Sequence, residues 1–541
     1  KWNPYIKAGA ESWNKAFEKI GFKDVICVKE FPKNDTLFNA NSFDCMTIRY
    51  SASWLNSAQT TIHSDTRTGE ILNASILINA NMISVQYADR IGATVAIDPR
   101  VRTTVFPQEI QGELIQAAIA QAVGTGLGLT MNWGASCAYP VDSLRSASFT
   151  QKYGLASSVM GGVIINDVAT EEDVRNGVCL VNTKPGPYDE LVIKYLYQPI
   201  YASSLQEEKE TLDSWIREHT GDPYYAYIRN QSRFDSDPRN SRGSLGDDHL
   251  KSFDYMLPNV RKGFENYYSW FAKEDRDFLM RRRVHSALSE RLSGRIYAIL
   301  SYIGGIYLND IREKDAIPSY SMVDREKQKA ALSKALELAK NLDWVDDTAH
   351  LNEFEISDKK ADRLRLDIFN GIFGRLPYVE VCTERFPDAA YTASEYLDDI
   401  YGIVWEGVLK HRPLENFERA LQTAFLESII STSTATAPIG SFKASKTGFA
   451  ATGKPEINLA ALRNGGKVDM KMYSLQNAEE VAGFSSIPPI YTNQTKIAAY
   501  YFDLLMRTKD MLKKAISTAP EADRSHYDLL IYRINKATEI E

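Results

Sequence analysis

From Glu113 to Gly154 the chain reads ELIQAAIAQAVGTGLGLTMNWGASCAYPVDSLRSASFTQKYG. This stretch constrains the fold more than any other. It opens as an alanine-rich helix starting near Pro107, a residue suited to a first helical turn, with Glu109 close to the positive N-terminus. The helix then dissolves into Gly124, Gly126 and Gly128 and continues as a polar loop. A glycine-dense run can cradle phosphate, but only where it follows a strand and opens a helix, so that free N–H groups face the anion. Here the glycines close a helix, where carbonyls are exposed and the dipole is negative. A phosphate site is therefore disfavoured.

A helical metal site makes a second demand on the same segment. Zinc hydrolases of this kind need two His four residues apart on one helix face, and a Glu beside the first as general base. A glycine then turns the chain so that a third His reaches the metal. The glycines are in place, and the segment resembles a family of bacterial metzincin-like zinc metallopeptidases, the Bacteroidetes-type Met-zincins. Their pattern is His-Glu-x-Gly-His-Thr-Leu-Gly-Leu-x-His-Asn, followed by Gly-Ala-Ser-x-Ala-Tyr-Pro-Val-Asp-Ser-Leu-Arg-Ser. Without a gap, Gly124, Leu127, Gly128, Leu129 and Asn132 match the framework. The run Gly134 to Ser146 then matches almost letter for letter.

In that register the resemblance implies four replaced positions. The first His is Gln121, the general-base Glu is Ala122, the second His is Thr125 and the third is Met131. The family's Met-turn beneath the zinc corresponds to Ser158-Val159-Met160-Gly161-Gly162, so Met160 survives while an Asp and a Tyr have become glycines. Further landmarks of the resemblance are Trp13 to Phe17, Ile48-Arg49-Tyr50, Arg67 to Leu72 and Asp98-Pro99-Arg100. Asp237-Pro238-Arg239 and Leu245 to Asp248 complete the set, and the likeness is expected to reach about residue 435.

Zinc is the family's cofactor, and the sequence predicts its absence here. The seven histidines are His63, His219, His249, His285, His350, His411 and His526, and no two lie three to five residues apart. Gln, Thr and Met are poor substitutes for neutral imidazole around Zn²⁺. Bound zinc lowers the pKa of water from about 15.7 to about 7, roughly 11 kcal/mol of nucleophile activation. No Gly-x-Ser-x-Gly elbow and no Cys/His signature offers another route. Gln121 and Thr125 share a helix face, and Met131 is suited to filling the vacated space.

Composition sets the remaining bounds. A chain of 541 residues is expected to form roughly two to four domains. Its net charge of −7 argues against a nucleic-acid binder, and Arg281-Arg282-Arg283 is expected to be a solvated helix face. No apolar run reaches the ~18 residues of a membrane span, and Ile296 to Leu308 is expected to be a buried helix. The five cysteines lack a CxxC pair, which leaves free buried thiols or one bridge such as Cys27 with Cys45. The chain begins at Lys1 rather than Met, which suggests a trimmed or mature fragment with any export signal upstream.

The expected fold class is α+β: a metzincin-like domain of mixed twisted sheet and helices, followed by a large, mainly α-helical region. Its expected parts are a (pseudo)catalytic domain over 1–190, a helical region completing the family module over 191–435, and a mostly helical C-terminal segment over 436–541. Helical spacing runs from Tyr5 to Ile20, with Gly21 as a stop, and strand-like runs follow at Val25 to Val28 and Cys45 to Tyr50. Ile71 to Ile78 alternates apolar and polar residues after a turn at Thr66 to Gly69. Beyond Pro187, helices are expected over Leu205–His219, Leu250–Phe271, Asp275–Leu308, Asp324–Leu342, Lys359–Phe373, Ala393–Leu409, Leu414–Ile430, Thr495–Ser517 and Glu521–Glu539. Ser431 to Lys454 reads as a loop or linker.

These features point to a non-catalytic peptidase homologue, a pseudoenzyme that keeps a cleft for a peptide or protein ligand. A metzincin cleft runs beside an edge strand, and Ile71 to Ile78, with Ile71, Asn73, Ser75 and Leu77, is the candidate edge. The alternatives are an assembly role carried by the helical region, and an active peptidase with chemistry foreign to the family. The resemblance implies an extracytoplasmic location, periplasmic, outer-membrane-associated or secreted.

Overall fold

The computed structural model describes residues 2–432, except 36, 44, 56, 229–235, 241–243, 312–314, 347–349 and 351–359, and residues 494–538. Two compact units are present, Lys1–Ile403 and Val404–Glu541. The expected linker after residue 432 and much of the 436–541 segment lie outside the described residues.

In the first unit, strands β1 (Thr47–Ser51), β2 (Gln59–Ser64) and β3 (Ile71–Asn79) form one mixed sheet of order β1-β3-β2. β1 runs parallel to β3, with Ile48 opposite Ile76, whereas β2 runs antiparallel, with Thr60 opposite Ile76. Period-two alternation buries Ala74, Ile76 and Ile78 on one face. That face meets a core of Trp13, Phe17, Ile115, Ile119, Val123 and Met160.

The helices that supply this core are α1 (Asn3–Glu11), α2 (Asn14–Glu18), α3 (Ala80–Thr94) and α4 (Gln108–Gly126), followed by α5 (Ala147–Tyr153), α6 (Glu171–Arg175) and α7 (Pro187–Tyr197). The expected single helix from Tyr5 to Ile20 is thus two, broken at Ser12-Trp13, and Gly21 ends the second with φ +91°. The expected strand at Val25 to Val28 does not form. The amide and carbonyl of Ile26 are held by the Asn14 side chain, both at 2.8 Å, and the Val28 amide by Glu11 at 3.0 Å. Those side chains replace a neighbouring strand.

Helix α3 was not evident in the sequence, because Gln86, Arg90 and Thr94 are buried with the apolar residues and blur any amphipathic stripe. Arg90 is fully buried and pairs with Asp98 at 2.7 Å. Asp98-Pro99-Arg100 and Asp237-Pro238-Arg239 use one local device. Each Asp accepts from the amide two residues on, at 3.1 and 2.9 Å, and pairs with that residue's guanidinium.

The helical part of this unit contains α8 (Leu205–Arg217), α9 (His249–Phe271), α10 (Leu279–Leu300), α11 (Arg325–Lys340), α12 (Lys360–Gly374), α13 (Leu376–Arg385) and α14 (Ala393–Val404). The expected helix through Leu308 stops at Leu300. Gly304 turns the chain at φ +59°, and Ile306–Leu308 becomes β4, paired with β5 (Tyr320–Met322). Arg281 in the basic triplet is buried rather than solvated, and it pairs with Asp275 at 3.1 Å. Asp167, itself buried, accepts from Arg291 at 2.6 Å and from Arg295 Nε at 2.9 Å, which ties the sheet-bearing part to α10.

The second unit holds α15 (Glu406–Leu409), α16 (Asn416–Thr432), α17 (Gln494–Ala515) and α18 (Glu521–Thr538). Buried Asp523 pairs with Arg419 at 2.5 Å and caps the Leu414 amide at 3.0 Å. All five cysteines are free, so Cys27 and Cys45 form no bridge. Only Cys137 and Cys382 are buried, and Cys27 is exposed. No described helix is long and apolar enough to cross a membrane.

Candidate functional site

Helix α4 carries the motif, and its termination is dictated by glycine. Gly128 sits at φ +90°, a conformation that strains a side chain. Its amide reaches the Thr125 carbonyl at 2.9 Å, and the Leu129 amide reaches the Gly124 carbonyl at 3.0 Å. This is the Schellman closure, and it sends the chain back along the helix. The returning chain brings Met131 to Gln121, whose Nε2 donates to the Met131 Sδ at 3.1 Å. Thr125 Oγ1 turns inward on its own helix and donates to the Gln121 carbonyl at 3.3 Å. The structure therefore brings Gln121, Thr125 and Met131 together on one side of α4.

Ala122 points elsewhere, into the core, and is 5% exposed. Its carbonyl accepts from Thr60 Oγ1 of β2 at 3.0 Å, while Trp13 Nε1 donates to the Ala120 carbonyl at 2.8 Å. Beneath the helix lies Met160, fully buried. A Cβ added to Gly124 would stand 2.5 Å from the Trp13 ring and 2.6 Å from the Met160 Sδ, so this glycine is required by close approach. Asn132 donates its amide to the Met160 carbonyl at 3.1 Å, and its buried side chain bonds Ala226 O at 2.9 Å and Ile228 N at 3.2 Å. Gly124, Gly128, Asn132 and Met160 are thus physically joined as one frame.

One member of that frame escaped the sequence reading. Asp189, at the start of α7, is completely buried and accepts from Ser158 Oγ at 2.5 Å and from the Val159 and Gly186 amides at 2.9 Å each. Burial pushes its carboxyl up to about 7, against the lowering effect of these hydrogen bonds. An acidic residue in a first helical turn was visible, but its 31-residue reach to Ser158 was not.

The donor set does not fit zinc. An amide, a hydroxyl and a thioether are neutral and weakly basic, and the amide is already engaged with the thioether. Among the described residues, no group of three His, Cys, Asp or Glu side chains is placed to hold a metal ion.

The expected edge strand needs correction. Ile71, Asn73, Ser75 and Leu77 lie on β3, which is paired on both sides and is the middle strand. Their side chains face away from the core: Asn73 Nδ2 bonds the Cys45 carbonyl at 2.9 Å, and Ser75 Oγ accepts from Arg49 at 3.0 Å. From Ser75 to Leu77 this strand is paired with both neighbours and has no backbone groups left for a ligand, whereas Ile71 to Ala74 are paired with β2 alone, and Ile78 and Asn79 with β1 alone. The edges of this three-stranded sheet are β1 and β2, and β2 is the one bonded to α4 through Thr60.

A cavity of about 600 Å³ opens where α4 turns back. It is lined by Gly128, Leu129 and Thr130, by side chains of α7, by residues between 216 and 228, and by Arg239 and residues between 308 and 321.

The Met-zincin family matches residues 103–412, more than half of the chain. No curated protein and no solved structure matches it. Helix α4, its closure at Gly128 and the buried Met160 all lie within the matched residues, and with that family spanning most of the first unit and more than half of the chain, this chain belongs to the Met-zincin family.

Proposed function

We propose that this Met-zincin homologue has lost peptide hydrolysis and works by holding an extended peptide or protein segment in the ancestral cleft. The observation that carries this is the Gln121–Met131 bond at 3.1 Å, which closes off the place of the ligands, with Ala122 turned into the core where a general base is needed. Without metal activation, water stays at a pKa of about 15.7, and nothing in this donor set offsets that. The cleft strand is β2, Gln59–Ser64, whose outer edge makes no backbone hydrogen bond to another described segment. Such an edge recruits an extended chain by strand addition, with main-chain bonds giving affinity. An extracytoplasmic location accompanies this function.

Two measurements test the proposal. Purified chain titrated with Zn²⁺ is expected to show no stoichiometric binding, whereas the triple variant Q121H/T125H/M131H gains a tight site. Stoichiometric zinc together with peptidase activity in the natural chain would sink the idea of lost catalysis. An extended peptide library is expected to yield binders that alternate N-methylation abolishes. If N-methylated peptides bind equally well, strand addition on β2 is excluded.

A further inference from the structure

Helix α8 carries an apolar side that its surroundings cover only in part. Leu205, Leu212, Trp215 and Ile216 recur at helical spacing on that side. Yet no residue of the helix is buried, and Leu205 is 85% exposed. The helix also holds its own shape. Ser204 Oγ caps it by accepting from the Glu207 amide at 3.2 Å, and the side chains of Gln206, Thr211 and Ser214 bond back onto the same helix at 2.8, 3.0 and 2.7 Å. An element that buries so little apolar surface is displaced as a unit at small free-energy cost.

The chain on either side of this helix is, by contrast, pinned to the turn that ends α4. Before it, Tyr197 Oη at the end of α7 donates to the Leu127 carbonyl at 2.8 Å. After it, Asn132 bonds Ala226 O at 2.9 Å and Ile228 N at 3.2 Å. Two tethers join α8 to these fixed points. Residues 198–204 have no helix or strand, and Tyr201 among them is 97% exposed. On the other side the Asp222 amide closes a turn onto the His219 carbonyl at 3.0 Å, through Gly221 at φ +89°. Between the tethers, the apolar side of α8 reaches the body at two places. Ile216 lines the cavity of about 600 Å³, and the Lys194 ammonium of α7 lies over the Trp215 ring at 4.5 Å. A cation on an aromatic face is a weak attachment where water reaches it.

We propose that residues 198–222, built around α8, form a flap that swings about its two pinned ends and opens or closes one wall of the cavity, with Trp215 on Lys194 as its latch. Short tethers that absorb the backbone change while a helix moves whole are the usual construction of such a gate. The flap governs access to the cavity, and it does so whatever the cavity holds, so it stands or falls separately from peptide holding.

The test is a pulsed electron-spin measurement of distances in the full chain, with Cys27, Cys45 and Cys179 replaced by Ser. One spin-label pair, E210C with S319C, joins the exposed side of α8 to the residue beside cavity-lining Pro318. A reference pair, K152C with S319C, joins that same residue to α5, and all three positions are exposed. The reference pair is expected to give one narrow distance, and the flap pair two maxima, the longer being the open flap. W215A and K194A, which each remove the latch, should raise the weight of the longer distance about threefold relative to the shorter. A flap pair as narrow as the reference pair overturns the proposal without any latch variant having to fold. Two maxima whose weights neither W215A nor K194A moves overturn it as well, because the motion would then have no latch at Trp215.

Discussion

Replacing Asp189 with Asn tests whether a buried, proton-holding carboxyl clamps the Met-turn. Asp189 is fully buried, with a folded-state pKa of about 7 against an ordinary 3.8. Because the folded value is raised, the folded chain binds this proton more tightly than the unfolded chain. The stabilisation is complete below about pH 3.8 and is lost as pH rises through about 7. Between pH 5 and pH 8 the loss works out to about 2.5 kcal/mol, at ~1.4 kcal/mol per unit of pKa difference. Asparagine keeps the shape and the neutral charge. Its carbonyl accepts from the Val159 and Gly186 amides, and its amide faces Ser158 Oγ. The D189N chain should therefore gain about 2.5 kcal/mol relative to the natural chain on moving from pH 5 to pH 8. Urea denaturation followed by tryptophan fluorescence, run on both proteins at both pH values, reads this double difference and cancels every other titrating group. If natural and variant chains keep the same gap at pH 5 and pH 8, Asp189 carries no proton across that range and the argument fails.

The other perturbations are simpler. G124A forces a methyl against the Trp13 ring and Met160 Sδ, at 2.5 and 2.6 Å, and should cost about 1–3 kcal/mol, read as a lowered thermal midpoint. D167N leaves Arg295, 2% exposed, without its counter-charge and should cost about 3–5 kcal/mol in urea denaturation; an unchanged midpoint would show that the pair is dispensable. Under native conditions an aromatic disulfide reagent should modify exposed Cys27 first, with C27S removing that fast phase. Cys382, buried and with its thiol pushed up to about 12 by desolvation, should react only on unfolding.

What the sequence disclosed, and what it concealed, follows from the range of the interactions. Helix α4 and its stop were legible because alanine spacing and Gly128 are local signals, and the register then located Gln121, Thr125, Met131 and Met160. The strand character of Ile71–Ile78 was legible from alternation, but its central position was not, since strand order depends on which distant segments pair with it. α3 was hidden by the buried Arg90, whose partner Asp98 makes a charged residue behave as core. Val25–Val28 had strand composition, yet Asn14 and Glu11 took its backbone bonds. The Asp189 clamp joins two turns that no local pattern connects.

The Asp167 clamp has a consequence for inheritance. Arg291 and Arg295, more than 120 residues downstream, neutralise a carboxylate within the sheet-bearing part. A gene fragment ending near residue 190 would encode Asp167 buried with no cation to meet it, and a fragment starting there would encode two arginines with no acid. Neither piece is a viable module for recombination to move. Gln121, Ala122, Thr125 and Met131 take no part in that charge bond, so the first unit stays tied across residue 190 whatever side chains stand at those four positions.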